Sequence, residues 1–143
     1  MLSETLKDKS RTRKILVVDD EPDMLSIVSK SLIVEGYEII IVNNGLECID
    51  KAKSEHPDLI LLDSVMPNMD GQTVLAELKA SRKTKNIPVI MVTALASEDD
   101  INRAQKSGAT DYVVKPFDYD VLLEKIAQAL KSGQKREVLI YGK

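Results

Sequence analysis

Apolar positions along this chain switch repeatedly between an uninterrupted run and a helical repeat. KILVVD (14–19) is a short continuous apolar run, which predicts a strand buried on both faces. PDMLSIVSKSLIVEG (22–36) places Leu25, Val28 and Leu32 at helical spacing, with Pro22 where a first turn tolerates it and Gly36 where a helix stops. YEIIIV (37–42) is β-branched and strand-like. NGLECIDKAKSEH (44–56) predicts a helix with Leu46, Ile49 and Ala52 on one side and Asn44 as its cap. PDLILLD (57–63) predicts a third strand and DGQTVLAELKAS (70–81) a third helix. IPVIMVT (87–93) follows as a strand, with Pro88 at its start where a missing donor is tolerated. SEDDINRAQKSG (97–108) is a helix capped by Ser97 with acids in its first turn. TDYVVK (110–115) closes the strand set, and DYDVLLEKIAQALKSG (118–133) is a helix ended by Gly133.

Alternation of this kind predicts an α/β fold: a doubly wound five-stranded parallel sheet, flavodoxin-like in the order 2-1-3-4-5, with helices on both faces and right-handed crossovers. One domain spans residues 14–131. Residues 1–13 read as a polar arm and 132–143 as a tail or linker. Within that tail, EVLIYG reads as a sixth strand, as the opening of a missing domain, or as a segment that pairs with a neighbouring chain.

Composition narrows the class. The chain has 143 residues, 43% hydrophobic and 30% charged, which suits a single globular domain with a sizeable core. There is no Trp, one Phe and four Tyr, so that core is aliphatic. A net charge of −3 gives no electrostatic case for direct nucleic-acid binding or for an anionic membrane. No apolar run approaches the ~18 residues of a membrane span, and the N-terminal stretch lacks the apolar core of a secretory signal. The single cysteine, Cys48, forms no internal disulfide and sits on the second helix as a small, partly buried residue. These features point to a cytoplasmic protein.

The chemistry lies at the strand ends. In doubly wound sheets, ligands bind beyond the carboxyl ends of the strands, where strand order reverses. Here those ends carry Asp19 and Asp20, Asp63, Thr93 and Lys115. Three acids converging within a few ångströms require a counter-charge. Lys115 offsets one, and a hard divalent cation bound through oxygen, Mg²⁺ above all, offsets the rest. The competing reading of DDEPD (19–23) is plain helix-start acids favoured by the helix dipole. Asp63, Thr93 and Lys115 at matching strand ends weigh against it. His56, the one histidine, reads as a surface loop residue, and the acids at 98–100 as a solvated first turn.

With ILVVDDEPD, PDLILLDSVMPNMDG, IPVIMVTA and GATDYVVKPFD in that order, the chain resembles the receiver domain of two-component response regulators from about Lys14 to Lys131. The resemblance implies roles. Asp63 matches the phosphoacceptor, taking a phosphoryl group from a sensor histidine kinase or phosphotransfer protein. Asp19, Asp20, Asp63 and the Val65 backbone carbonyl match the Mg²⁺ ligands, with Mn²⁺ as a substitute. Thr93 and Lys115 match the phosphoryl-binding hydroxyl and ammonium. Tyr112 matches the aromatic switch that moves with Thr93, and Lys115–Pro116 the place of a cis peptide. Met66, Pro67 and Gly71 match the loop that shapes the site. The reader of the signal is a downstream protein or a missing output domain, approached through the surface of the fourth helix, fifth strand and fifth helix; a phosphorylation-dependent homodimer is a further partner. Val65 and Leu95 offer an attacking water no polar handle, which predicts slow loss of the phosphoryl group.

Two other classes share the fold. An aspartyl-nucleophile phosphatase wants a second acid two residues after the nucleophile, where Val65 stands. A flavin carrier wants a glycine- and hydroxyl-rich phosphate loop after the first strand, where DDEPD would repel phosphate.

Overall fold

The uninterrupted apolar runs become the middle of a sheet. In a computed structural model, which describes residues 11–141, five parallel strands lie in the order β2-β1-β3-β4-β5. They are β1 Lys14–Val18, β2 Glu38–Val42, β3 Leu59–Leu62, β4 Val89–Thr93 and β5 Asp111–Val114. The helices are α1 Pro22–Val34, α2 Gly45–Glu55, α3 Gly71–Ala80, α4 Glu98–Lys106 and α5 Tyr119–Tyr141. The expected arm lies outside the described residues, apart from 11–13. Among the described residues no helix is long and apolar enough to cross a membrane.

Successive side chains of a strand point to opposite faces, so each central strand feeds two cores. Leu16, Val18, Ile60, Leu62, Val89 and Met91 join Cys48 and Ala52 of α2 and Val74, Leu75 and Leu78 of α3 on one face. Ile15, Val17, Leu59, Leu61, Ile90 and Val92 join Leu25, Val28 and Leu32 of α1 and Leu122 and Ile126 of α5 on the other. Every position of β3 and β4 is buried, which is why neither run shows polar alternation.

Caps fix the helix starts. Glu47 N–H donates to Asn44 Oδ1 at 2.9 Å, Thr73 N–H to Asp70 Oδ1 at 2.8 Å, and Asp100 N–H to Ser97 Oγ at 3.1 Å. Gly36 follows α1 at φ 98°, a left-handed conformation that suits glycine.

Three expectations change. Leu46 is 64% exposed, and the buried stripe of α2 is Gly45, Cys48, Ile49 and Ala52. The stripe begins on a glycine because α3 comes too close for a side chain: a Cβ at Gly45 would lie 2.6 Å from Val74 Cγ2. Cys48 is fully buried rather than partly, and burial pushes its thiol pKa up to about 12. The fifth helix also runs through Gly133 to Tyr141, where the pattern predicted a stop and one reading of the tail placed a strand. An interior glycine costs a helix only ~1 kcal/mol, and the Lys, Gln, Arg and Glu residues that follow it favour continuation.

Candidate functional site

The sheet's hydrogen-bond ladder carries the polar residues into place. Asp63 N–H donates to Val18 O at 3.0 Å, Asp19 N–H to Val42 O at 3.3 Å, and Lys115 N–H to Thr93 O at 2.8 Å. Val18 pairs with Leu62, Leu62 with Met91, and Thr93 with Val114. The residues just past these pairs therefore meet at one edge of the sheet.

Three carboxylates gather there. Asp19, Asp20 and Asp63 each offer an oxygen, all within 4.8 Å of one another; Asp19 and Asp63 are buried and Asp20 is exposed. The Lys115 ammonium sits among them, 2.6 Å from Asp19 Oδ2, 3.2 Å from Asp63 Oδ2 and 3.4 Å from Glu21 Oε1. The other oxygens of the buried pair are held by the backbone: Glu21 N–H donates to Asp19 Oδ1 at 3.0 Å and Val65 N–H to Asp63 Oδ1 at 3.2 Å. Glu21 heads α1 without a side-chain capping bond. Asp19 is turned toward Lys115, whereas Asp23 sits in the first turn of α1 as a helix-start acid does.

One ammonium does not balance this set. Burial raises the Asp63 carboxyl pKa, and the charge of Asp19 adds to the rise against the opposing pull of Val65 N–H and Lys115. Burial alone would lower the Lys115 pKa, but its bond to Asp19 and the charges of Asp63 and Asp19 reverse the sign and raise it. A carboxyl whose folded pKa lies above its unfolded value stabilises the fold below the unfolded pKa, and that contribution is lost as pH rises through the folded one. We therefore expect Asp63→Asn in chelator to be more stable than wild type at neutral pH, because the amide removes the excess buried negative charge beside Asp19. The advantage should shrink on acidification into the carboxylate range. Urea unfolding at the two pH values checks this; an advantage that grows on acidification would contradict it.

The donors are hard oxygens without sulfur or imidazole, and the local charge stays negative after Lys115 is counted. That set fits a hard divalent cation, and among the described residues it is the one such acidic group. An open pocket of about 290 Å³ adjoins it, lined by Asp20, Glu21, Asp63, Val65, Ala94 and Lys115.

Thr93 is fully buried at the end of β4, and its Oγ1 accepts from Leu95 N–H at 3.2 Å. Tyr112 packs against the core that holds Leu62 and Met91 and donates its hydroxyl to Leu95 O at 2.8 Å. One residue, Leu95, thus ties both hydroxyls together through its own backbone. Burial raises the Tyr112 phenol pKa; Ser64 opposes the rise, and the charges of Asp100 and Asp63 add to it. The Lys115–Pro116 peptide is cis. Met66 is buried in the core and Pro67 exposed. Gly71 N–H donates to Ser64 O at 2.9 Å, and a Cβ at Gly71 would fall 2.2 Å from Asp63 O.

Three features escaped sequence reasoning. Glu21 stands in DDEPD, so its charge was visible but its reach to Lys115 was not. Ser64 and the Leu95 backbone carry no signal in their residue types, since a hydroxyl beside an acid and a peptide group after a strand are ordinary.

Comparisons with known proteins agree with this geometry. The family described as response regulator receiver domain matches residues 15–127. A probable transcriptional regulator ycf27 of Porphyra purpurea is 40% identical over 127 residues, 89% of this chain and 51% of that protein. A DNA-binding dual master transcriptional regulator of Synechocystis is 37% identical, over 82% of this chain and 49% of that protein. The chain thus spans about half the length of these curated relatives. Among solved structures, a CheY-like receiver domain protein of Methanospirillum hungatei superposes with a TM-score of 0.83 at 32% identity, covering 88% of this chain and 99% of that one. The receiver domain of a Pseudomonas aeruginosa sensor histidine kinase, solved with magnesium in its active-site cleft, gives 0.77 at 27% identity over 85% and 99% of the two chains.

Proposed function

The chain belongs to the response regulator receiver family, and from that premise we propose that Asp63 is its phosphoacceptor. Members of this family are phosphorylation-dependent signalling domains of two-component systems rather than conventional enzymes. Asp19, Asp20, Asp63 and the Val65 carbonyl would hold Mg²⁺, with Mn²⁺ able to substitute, and Thr93 and Lys115 would receive the transferred group. The observation that carries this reading is Lys115 Nζ bridging the buried carboxylates of Asp19 and Asp63 at the mouth of an open pocket.

When bound, the divalent ion supplies positive charge to the phosphoryl oxygens in the transition state. The chain's own groups do the positioning. Val65 N–H and Lys115 each hold one oxygen of Asp63, which orients the carboxylate for in-line attack. A bond forms from Asp63 to phosphorus as the donor's phosphorus–nitrogen bond to histidine breaks. Lys115 then exchanges its contact with Asp63 for a phosphoryl oxygen. Thr93 turns its hydroxyl from Leu95 N–H to the phosphoryl group, and Tyr112 follows because it holds the same residue. Moving such a switch from mostly off to mostly on takes about 5 kcal/mol of differential binding, within reach of two or three charge-assisted hydrogen bonds.

Residues 14–131 would form the receiver domain proper, with 1–13 as an arm and 132–143 as a linker. The donor is a sensor histidine kinase or phosphotransfer protein in the cytoplasm. The reader is a downstream protein or an output domain, engaged through α4, β5 and α5, with a phosphorylation-dependent homodimer as one form of the response. DNA binding, named for the Synechocystis relative, belongs to that protein and not to this segment.

The test is intact mass after incubation with Mg²⁺ and a small acyl-phosphate donor. One phosphoryl group should add, and chelator should suppress it. Folded protein that gains no mass with Mg²⁺ present would remove the reading. The phosphorylated form should then decay over minutes or longer, because Val65, half exposed beside the pocket, and Leu95 present only apolar side chains to an attacking water. Time-resolved mass loss reads this directly, and a half-life of a few seconds would refute it.

A further inference from the structure

The side chain of Glu21 has no role in the helix that it begins. Glu21 heads α1, yet that end has no side-chain capping bond, and Asp23 supplies the first-turn acid. The backbone of Glu21 is held in place: its N–H donates to Asp19 Oδ1 at 3.0 Å, and Leu25 N–H donates to Glu21 O at 3.1 Å. From there the carboxylate reaches to 3.4 Å from Lys115 Nζ, and Glu21 lines the open pocket together with Asp20, Asp63 and Lys115.

An ammonium has three protons to donate. Lys115 faces three carboxylates, at 2.6 Å for Asp19, 3.2 Å for Asp63 and 3.4 Å for Glu21. A phosphoryl oxygen that comes to Lys115 must displace one of them. Glu21 is the farthest, and its side chain is 65% exposed against 5% for the other two, so it is the partner that gives way. So exposed an ion pair adds little stability; its consequence lies in what it repels. Asp19, Asp20, Glu21 and Asp63 set four carboxylates against one ammonium, so the pocket stays negative even when a divalent ion is bound. Without the Glu21 charge that excess is gone.

We propose that Glu21 is a specificity-determining residue for phosphoryl uptake: its carboxylate at the pocket mouth competes with the incoming group for Lys115 and disfavours small anionic donors arriving from solution. A phosphohistidine carried by a protein brings docking contacts that offset the same repulsion. This rests on the reading of Asp63 as the phosphoacceptor and adds donor selection to it.

The test compares wild type with Glu21→Gln, which keeps the shape and removes the charge, both at saturating Mg²⁺. At low ionic strength the second-order rate constant for labelling by a dianionic acyl phosphate should rise about fivefold. For phosphoramidate, which carries a single net negative charge, the rise should be about twofold. Both gains should fade in about 1 M salt, where the Debye length is ~3 Å. A merely structural role for Glu21 would change both rates alike and regardless of salt; that result, or no acceleration, overturns the proposal. A second readout involves no transfer. In Asp63→Asn, inorganic phosphate should bind the Mg²⁺-loaded pocket about threefold more tightly once Glu21→Gln is added, as read by calorimetry, and an unchanged affinity overturns the proposal. If folded wild type accepts no phosphoryl group, the proposed function falls and phosphate binding still decides the role of Glu21. Labelling of Asp63 that ignores donor charge and salt would sink this proposal and leave the proposed function standing.

Discussion

Asp63→Asn takes up no phosphoryl group from an acyl-phosphate donor under conditions that fully label wild type. The expected loss is several orders of magnitude, because the change removes the nucleophile and leaves an amide with little nucleophilic character. The shape of the side chain hardly changes, and Asn still accepts a hydrogen bond from Val65 N–H. Lys115 keeps Asp19 at 2.6 Å and Glu21 at 3.4 Å, so the ammonium is not stranded. The check is intact mass together with far-UV circular dichroism on the same sample. Equal labelling of both proteins would move the acceptor to another residue. Asp20, exposed at the rim of the same pocket, would be the first to examine.

Gly71→Ala should destabilise the protein by about 3 kcal/mol or more, at the upper end of overpacking costs. The added methyl would sit 2.2 Å from Asp63 O, 2.6 Å from Ser64 Cα and 2.9 Å from Asp63 C, all backbone atoms that no rotamer change removes. Relief requires the acceptor loop to shift, which also breaks the bond from Gly71 N–H to Ser64 O and displaces the Asp63 carboxylate. Phosphoryl uptake should therefore fall along with the urea midpoint. Gly45→Ala is the internal comparison. Its nearest clash is Val74 Cγ2 at 2.6 Å, a side-chain methyl with some freedom to adjust, so its cost should be smaller. A Gly71→Ala protein no less stable than Gly45→Ala would show that the loop after β3 is not pinned as described.

Much of this site is legible in the sequence. The acids, the threonine and the lysine end apolar strands, and a parallel sheet brings the carboxyl ends of its strands to one edge. What sequence could not supply is which atoms meet. That Lys115 reaches Glu21, and that Leu95 serves Thr93 with its N–H and Tyr112 with its carbonyl, follows from backbone bonds that do not depend on residue type. The misplacement of Leu46 has a similar origin. Apolar spacing marks Leu46, Ile49 and Ala52 as one side of α2, but the buried side starts at Gly45, a residue with no hydrophobicity to score. Gly133 misled in the other direction, because a glycine ends a helix only where the chain also turns left-handed, as at Gly36.

Strand runs, the apolar stripe of α1, the caps at Asn44 and Ser97 and the set of strand-end polar residues were determined by the sequence alone. Each depends on the chemical character of residues within one turn or one strand of each other. The 2.6 Å approach of Lys115 to Asp19 joins positions separated by 96 residues, and the contact of Gly71 with the acceptor backbone depends on where α3 meets β3. Such distances are decided only when both cores close on the sheet, because packing at near-crystalline density leaves side chains one arrangement among many that the pattern permits.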